Sequence, residues 1–327
     1  MLLALVAAWV IVLASIRLLG NLVEDQDRPA EVSGVLDERF QPSLVTEWQG
    51  KNYAYRDHEL ENVLVIGVDT KELSSGEAGY RNGGQADFLL LLVRDKTANT
   101  LSALQLDRDT ITPVRMYTVL GREAGVRNVQ LCLAQAFGKT TADGCENTIW
   151  AVSNLLGSIP IDHYIAMTME GISAFNDAIG GVTVTIDEDL TAADPAFVKG
   201  ETLTLTGAQA EHFVRARRTV SDGTNVSRMS RQRIYISAAL AQVKQKVSEN
   251  KTFAEDVFNS LRGYITSDMG SGALVNTVYA CSQCDWRGIQ NTSGVHTVGE
   301  NEKMQFFLDE DALDAQLISL LYTPWKN

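Results

Sequence analysis

The sequence predicts an α/β fold whose central sheet is covered on both faces. Three observations predict it. The segments "NVLVIGVDT", "DFLLLLVRD" and "TLSALQLDRDT" carry apolar runs at 63–68, 88–94 and 100–106 without polar alternation, the pattern of strands buried on both sides. Downstream, "DHYIAMT", "MEGISAFNDAIGG", "VTVTI" and "LTLTGAQAEHFVRAR" read in turn as strand, helix, strand and the start of a helix, the alternation of an α/β domain. A chain of 327 residues that is 45% hydrophobic can bury a sizeable core.

At the N-terminus, positions 1–16 are apolar apart from Ser15, and the polar Arg17 and Asn21 come soon after. The stretch 1–23 reads as an N-terminal transmembrane anchor, because a membrane helix needs about 20 residues and an arginine near its end can snorkel. A helix buried in the domain is the alternative. No Lys or Arg precedes the run and no clear cleavage site ends it, unlike a cleaved signal peptide. Residues 24–60 are acidic and irregular and read as an extracytoplasmic stalk, with one short helix near 43–50. The main domain is expected over 61–250, with 251–327 as an extension or cap.

Within that domain, a Gly-rich loop at 74–85 separates the first two strands. Helices are expected at 129–137 and 146–156, the second closed by Gly157. Thr206 with Gln209 forms a capping box that starts a helix. A long helix over 227–247 is expected to turn Ile234, Ala238, Ala241 and Val243 inward. Further helices are expected at 253–265, 271–280 and 311–321, and a strand at 304–308.

The net charge of -13 argues against a general nucleic-acid binder, which carries a basic footprint. Cys132, Cys145, Cys281 and Cys284 form two spaced pairs and predict two local disulfides, which suit an extracytoplasmic compartment. Free thiols or a zinc site are the alternatives.

Against this acidic background, "HFVRARRTVSDGTNVSRMSRQR" gathers six arginines between Arg215 and Arg233. Arg228, Arg231 and Gln232 are spaced to share one helix face near its first turn, where free N–H groups attract anions. Arg215 and Arg217 lie on one side only where the backbone is extended, and the loop between lets the two groups converge. Asp69 ends the first strand, Asp87 begins the second, and Arg108 comes just after the third, positions that face the crevice of an α/β sheet. Asp69 and Asp87 suit a shared Mg²⁺, and converging arginines suit diphosphate oxygens. Solvated turn aspartates, a surface salt bridge at Arg108 and a solvated basic face are the alternatives, with Arg218 and Arg233 the readiest members of such a face.

The segments "NVLVIGVDT", "ADFLLLLVRD", "LSALQLDRDT", "VSNLLGSIPIDHYIAMTMEGISAFNDAIGGVTVTI", "LTGAQAEHFVRARR" and "RMSRQRIYISAAL" together resemble the LytR-CpsA-Psr family of cell-envelope proteins over roughly 62–247. The resemblance implies a three-layer α/β/α sandwich around a central mixed sheet with an apolar lipid-binding tunnel. It implies a membrane-anchored, outward-facing phosphotransferase that uses Mg²⁺ to move a glycopolymer from a polyprenyl-pyrophosphate carrier to peptidoglycan. On that basis Asp69 and Asp87 stand near the metal, either one able to activate the acceptor hydroxyl. Arg108, Arg215 and Arg217 bind pyrophosphate, and Arg231 and Gln232 complete the pocket; Arg228 is taken as a further substrate contact.

This chain departs from the family pattern at three places. Gln85 stands where the family commonly has Arg, with Arg81 the candidate replacement charge; Phe88 stands for Thr, and Asp107 for Pro. These departures leave open a pyrophosphatase or a non-catalytic binder of lipid-linked polymer. A transcription regulator fits neither the charge nor any visible helix-turn-helix, and no G-x-G-x-x-G comes after the first strand to support a dinucleotide binder.

Overall fold

A computed structural model describes residues 45–76, 80, 83–216, 225–250, 253–300 and 302–325. In chain order the elements begin β1 (Val45–Trp48), β2 (Lys51–Tyr55), β3 (Leu60–Val68), β4 (Ala86–Asp95), β5 (Thr100–Leu106), β6 (Ile111–Tyr117) and β7 (Glu123–Gln130). They continue with α1 (Leu133–Ala136), α2 (Thr141–Leu155), β8 (His163–Met167), α3 (Met169–Ala178), β9 (Thr183–Thr185), β10 (Thr202–Thr204), α4 (Gly207–Arg215) and α5 (Asn225–Glu249). The last are α6 (Phe253–Leu261), β11 (Ile265–Ser267), α7 (Ser271–Ser282), β12 (Asp285–Asn291), β13 (Gly294–Val298), β14 (Met304–Leu308), α8 (Glu310–Leu321) and β15 (Tyr322–Pro324).

Six strands form one mixed sheet in the order β11-β8-β3-β4-β5-β12. The central pairs β3–β4 and β4–β5 are antiparallel, whereas β3–β8 and β5–β12 are parallel. Side chains alternate across the sheet, so each central strand feeds two cores. Val63, Val65, Leu90 and Ile165 pack with α3 to α7 on one face, and Leu64, Ile66, Leu89 and Leu91 with α1, α2 and α8 on the other. Both faces are dry, which explains why these strands read as unbroken apolar runs. Two hairpins, β6–β7 and β13–β14, stand beside the sheet, and the second docks where the Phe306 N–H donates to the Asp109 carbonyl at 2.8 Å.

Several elements differ from expectation. Residues 45–48 are a strand paired with β2, not helix. The helix expected at 129–137 is the end of β7 and then the single turn α1. On α5 the inward stripe runs through Arg228, Arg231, Gln232, Tyr235, Ile236, Ala239 and Val243. Ala241 is exposed, and Ile234 and Ala238 are half-buried. The stripe is set by Tyr235, whose hydroxyl donates to the buried Asn176 Oδ1 at 3.1 Å.

Two larger expectations are corrected. No helix among the described residues is long and apolar enough to cross a membrane. The 25-residue α5 has the length but carries Arg228, Arg231, Arg233, Lys246 and Glu249. The single-pass transmembrane topology is therefore not what the structure supports; the anchor expected at 1–23 lies outside the described residues. The two disulfides are also absent, because all four cysteines are free. Cys132 faces Arg108, Cys145 and Cys281 are buried in opposite cores, and the Cys284 thiol donates to the Ala280 carbonyl at 3.3 Å. Denatured without reductant, the protein is expected to titrate four thiols, and dithiothreitol is expected to leave its melting temperature unchanged.

Candidate functional site

The site forms where β3 and β5 end and where β4 and α5 begin. Beyond β3, the Asp69 N–H donates to the Gln85 carbonyl at 2.9 Å, and the Gln85 N–H donates back to Asp69 Oδ1. This reciprocal pair closes the Gly-rich loop. Gly84 allows the approach: its φ is +74°, and a Cβ there would lie 2.8 Å from Asp69 Oδ1.

The pairing of β4 with β3 slips at the same place. Gly67 faces Phe88 and Val68 faces Ala86, so Asp87 is the extra residue. Such a bulge re-aims a side chain. Asp87 Oδ1 accepts from Arg108 Nη1, and its Oδ2 accepts from Arg228 Nη1 at 3.3 Å. Arg228 is only 4% exposed, so its charge is compensated inside the fold.

Arg108 also donates through Nη2 to Gln85 Oε1 and, at 2.9 Å, to Cys132 Sγ. Burial pushes the Cys132 thiol up despite the nearby Arg108 guanidinium, which keeps it a packed thiol and not a thiolate nucleophile. Arg228 Nη2 donates to Asn225 Oδ1 at 2.5 Å, one turn earlier on α5. The Asn225 amide donates through Nδ2 to Met229 Sδ at 3.4 Å and also acts on Asp107, whose carboxylate accepts from the Asp109 N–H at 2.8 Å and lies 3.0 Å from His296 Nε2. Burial alone would raise the Asp107 carboxyl, but hydrogen bonds from His296, Asn225 and the Asp109 backbone outweigh it and hold it below the ordinary 3.8.

Beside this network lies a shallow open cleft, lined by Asp87, Arg215, Arg228 and Gln232 and by the apolar Phe88, Met169, Ile172 and Val214. Arg215 is the exposed member, paired with Glu211 at 2.6 Å. Gln232 reaches the sheet, its Oε1 accepting from Gln105 Nε2 at 3.2 Å.

The structure thus brings Asp87, Arg108, Gln85, Arg228, Arg215 and Gln232 together, with Asp69 joined through Gln85. It turns Arg231 elsewhere. That guanidinium is 1% exposed, pairs with Glu188, and donates to the carbonyls of Phe213 and Ala216 at the end of α4. Arg231 joins the two helices where the sequence suggested a pocket residue. Arg81 and Arg217 lie outside the described residues. Sequence reasoning missed Asn225 and His296, and read Cys132 as a disulfide partner where it faces Arg108. Asn225 had a signal, its spacing three before Arg228; His296 had none, being far along the chain.

A metal is tested by the donors present. No group of three His, Cys, Asp or Glu side chains among the described residues could hold one. Asp69 Oδ2 has no hydrogen-bond partner among the described residues, whereas both oxygens of Asp87 are engaged. This donor set fits a cation that takes one or two carboxylates and completes its shell from phosphate oxygens.

Comparisons with known proteins identify a family. The LytR_cpsA_psr family model matches residues 31–319. The polyisoprenyl-teichoic acid–peptidoglycan teichoic acid transferase TagU of Bacillus anthracis is 29% identical over 321 residues, covering 96% of each chain. Among solved structures, protein gbs0355 of Streptococcus agalactiae superposes with a TM-score of 0.63 at 21% identity, over 81% of this chain and 87% of its own. TagT of B. subtilis does so at 0.57 and 17%, over 86% and 95%. These two likenesses establish the fold.

Two outcomes are expected. Glu188→Ala, which strands the buried Arg231 guanidinium, should lower stability by about 3 kcal/mol or more. Arg215→Ala, which removes an exposed i,i+4 pair, should cost under about 0.5 kcal/mol; urea midpoints measure both. The second concerns pH. Because the folded Asp107 binds its proton less tightly than the unfolded one, it contributes stability above pH 3.8 that is lost as pH falls through its lowered folded value. Asp107→Asn should therefore flatten the acid limb of the stability–pH curve.

Proposed function

The chain belongs to the LytR-CpsA-Psr family, and from that premise we propose that it transfers a glycopolymer from a polyprenyl-pyrophosphate carrier to peptidoglycan. The observation that carries this reading is the Asp87–Arg108–Arg228 cluster opening onto an apolar cleft. A diphosphate needs cations and a prenyl chain needs an apolar wall, and the cleft offers the two side by side. The similarity to TagU over nearly the whole of both chains supports the substrate class.

In this reading Arg108, Arg215, Arg228 and, from outside the described residues, Arg217 neutralise the diphosphate. Gln85 and Gln232 complete the polar wall. Phe88, Met169, Ile172 and Val214 cover the first part of the prenyl chain, the beginning of the apolar tunnel the fold family implies. The acceptor hydroxyl oxygen bonds to the sugar-proximal phosphorus, the bond from that phosphorus to the bridging oxygen breaks, and polyprenyl phosphate leaves. Arginines aimed at the equatorial and leaving oxygens stabilise the charge that develops there. Asp69, whose Oδ2 has no hydrogen-bond partner among the described residues, orients the acceptor hydroxyl, whose proton leaves to solvent at the open mouth. Mg²⁺ held by Asp69 and Asp87 would add charge neutralisation at the diphosphate.

One observation favours a second reading, a polymer-binding protein without turnover: both oxygens of Asp87 are occupied by arginines. A single assay separates the readings. The protein is given a labelled lipid-diphosphate sugar and peptidoglycan fragments, and transfer and phosphate release are followed together. Transfer is expected, and Arg108→Ala is expected to slow it by about 10²–10³-fold. Phosphate release without transfer would mark a pyrophosphatase; retained binding with neither product would mark a binder.

A further inference from the structure

The Asp107 carboxylate is 2% exposed and lies outside the cleft, yet its hydrogen bonds run both toward the site and away from it. On one side His296 Nε2 is 3.0 Å away, on the outer hairpin. The imidazole is itself packed on Phe306 of the partner strand, ring centroids 4.6 Å apart. On the other side stands Asn225, whose Oδ1 accepts from Arg228 Nη2 at 2.5 Å, while Arg228 Nη1 reaches Asp87 at 3.3 Å. The hairpin is fixed at the same spot by the Phe306 N–H on the Asp109 carbonyl, and by Gln130 Nε2, which donates to both Asp109 Oδ1 at 3.0 Å and the Met304 carbonyl at 2.7 Å. A continuous line of polar contacts therefore links β13–β14 to the charged cluster.

We propose that Asp107 and His296 are positioning residues: the His296–Asp107–Asn225 line sets the orientation of Arg228, so that the C-terminal hairpin holds the diphosphate-facing guanidinium in place. The chemistry suits the task. An amide has a donor and an acceptor end. With Asp107 ionised and accepting from the Asn225 NH₂, the Asn225 oxygen is left pointing at Arg228. The orientation of Asn225 is thus fixed from both ends, and one nitrogen of Arg228 is committed to it while another stays on Asp87. Without Asp107 the Asn225 NH₂ keeps only the weak sulfur acceptor Met229 Sδ at 3.4 Å, and the acceptor that fixes the angle of Arg228 is held less firmly. A misplaced charged group costs rate more than affinity where it acts on a developing charge.

The proposal rests on the transferase reading for its kinetic readout but not for its structural one, and the experiment uses both in the full chain. Asp107→Ala, His296→Phe, His296→Gln, Arg228→Ala and the double variant Asp107→Ala/Arg228→Ala are compared by transfer kinetics, and by hydrogen exchange of peptides covering 225–236. Melting curves select variants that remain folded. Asp107→Ala and His296→Phe are expected to lower kcat by about tenfold with KM little changed, and to speed exchange at the start of α5. His296→Gln, which keeps a donor, is expected to restore most of the rate. The loss from Asp107→Ala is expected to vanish in the Arg228→Ala background, the non-additivity of residues that act through one another. Additive losses, or His296→Phe with unchanged exchange and rate, would overturn the proposal. Absence of transfer by the wild type, with the exchange coupling intact, would instead strike the functional reading and leave the positioning line standing.

Discussion

The site depends on one carboxylate held between two guanidiniums. Asp87 sits where the register of β4 slips, and it takes Arg108 from the end of β5 and Arg228 from the start of α5. Arg228 is 4% exposed and Arg231 1%. Two arginines on the buried stripe of a helix would be ruinous without partners, because an uncompensated charge inside a fold is costly. Asp87 and Glu188 supply those partners, and in doing so they tie α5 to the sheet on one side and to the segment between β9 and β10 on the other. The same pairing sets Arg228 and Asp87 in the wall of the cleft beside Arg215, although the chain as a whole is strongly acidic.

Much of the fold was legible because burial on both faces leaves a plain trace. Strands β3, β4 and β5 read as apolar runs, and the capping box at Thr206 and Gln209 forms as its spacing requires. Edge elements were not legible. Six consecutive residues of β7, Glu123–Asn128, are exposed and therefore carry no periodic signal. On α5 the spacing of Arg228, Arg231 and Gln232 put them correctly on one face, and their charge suggested an anion site facing the cleft. That face is the core face, continuous with Tyr235, Ala239 and Val243. Periodicity finds which residues share a side; it does not say whether charged members of that side have partners.

The family departures acquire physical content in the structure. Gln85 replaces a cation with an acceptor that Arg108 uses, so the loop supplies orientation where relatives' pattern supplies charge. Asp107 puts an anion where the family has proline. Its carboxylate is buried, one oxygen accepting from the Asp109 N–H and the other 3.0 Å from His296 Nε2. The sequence could name the substitution but not the direction in which the side chain points.

The order of strands in the main sheet has a consequence for how the chain is made. β5 lies inside the sheet only because β12, about 185 positions later, pairs alongside it. Until those last residues leave the ribosome, β5 is an open edge with unpaired backbone groups, and His296 has not arrived behind Asp107. Non-local pairing of this kind is slow, and an exposed edge invites pairing with other chains. A chain of this design has to be kept from its neighbours during synthesis, and one stalled shortly before its end would carry all three site strands and remain a hazard to them.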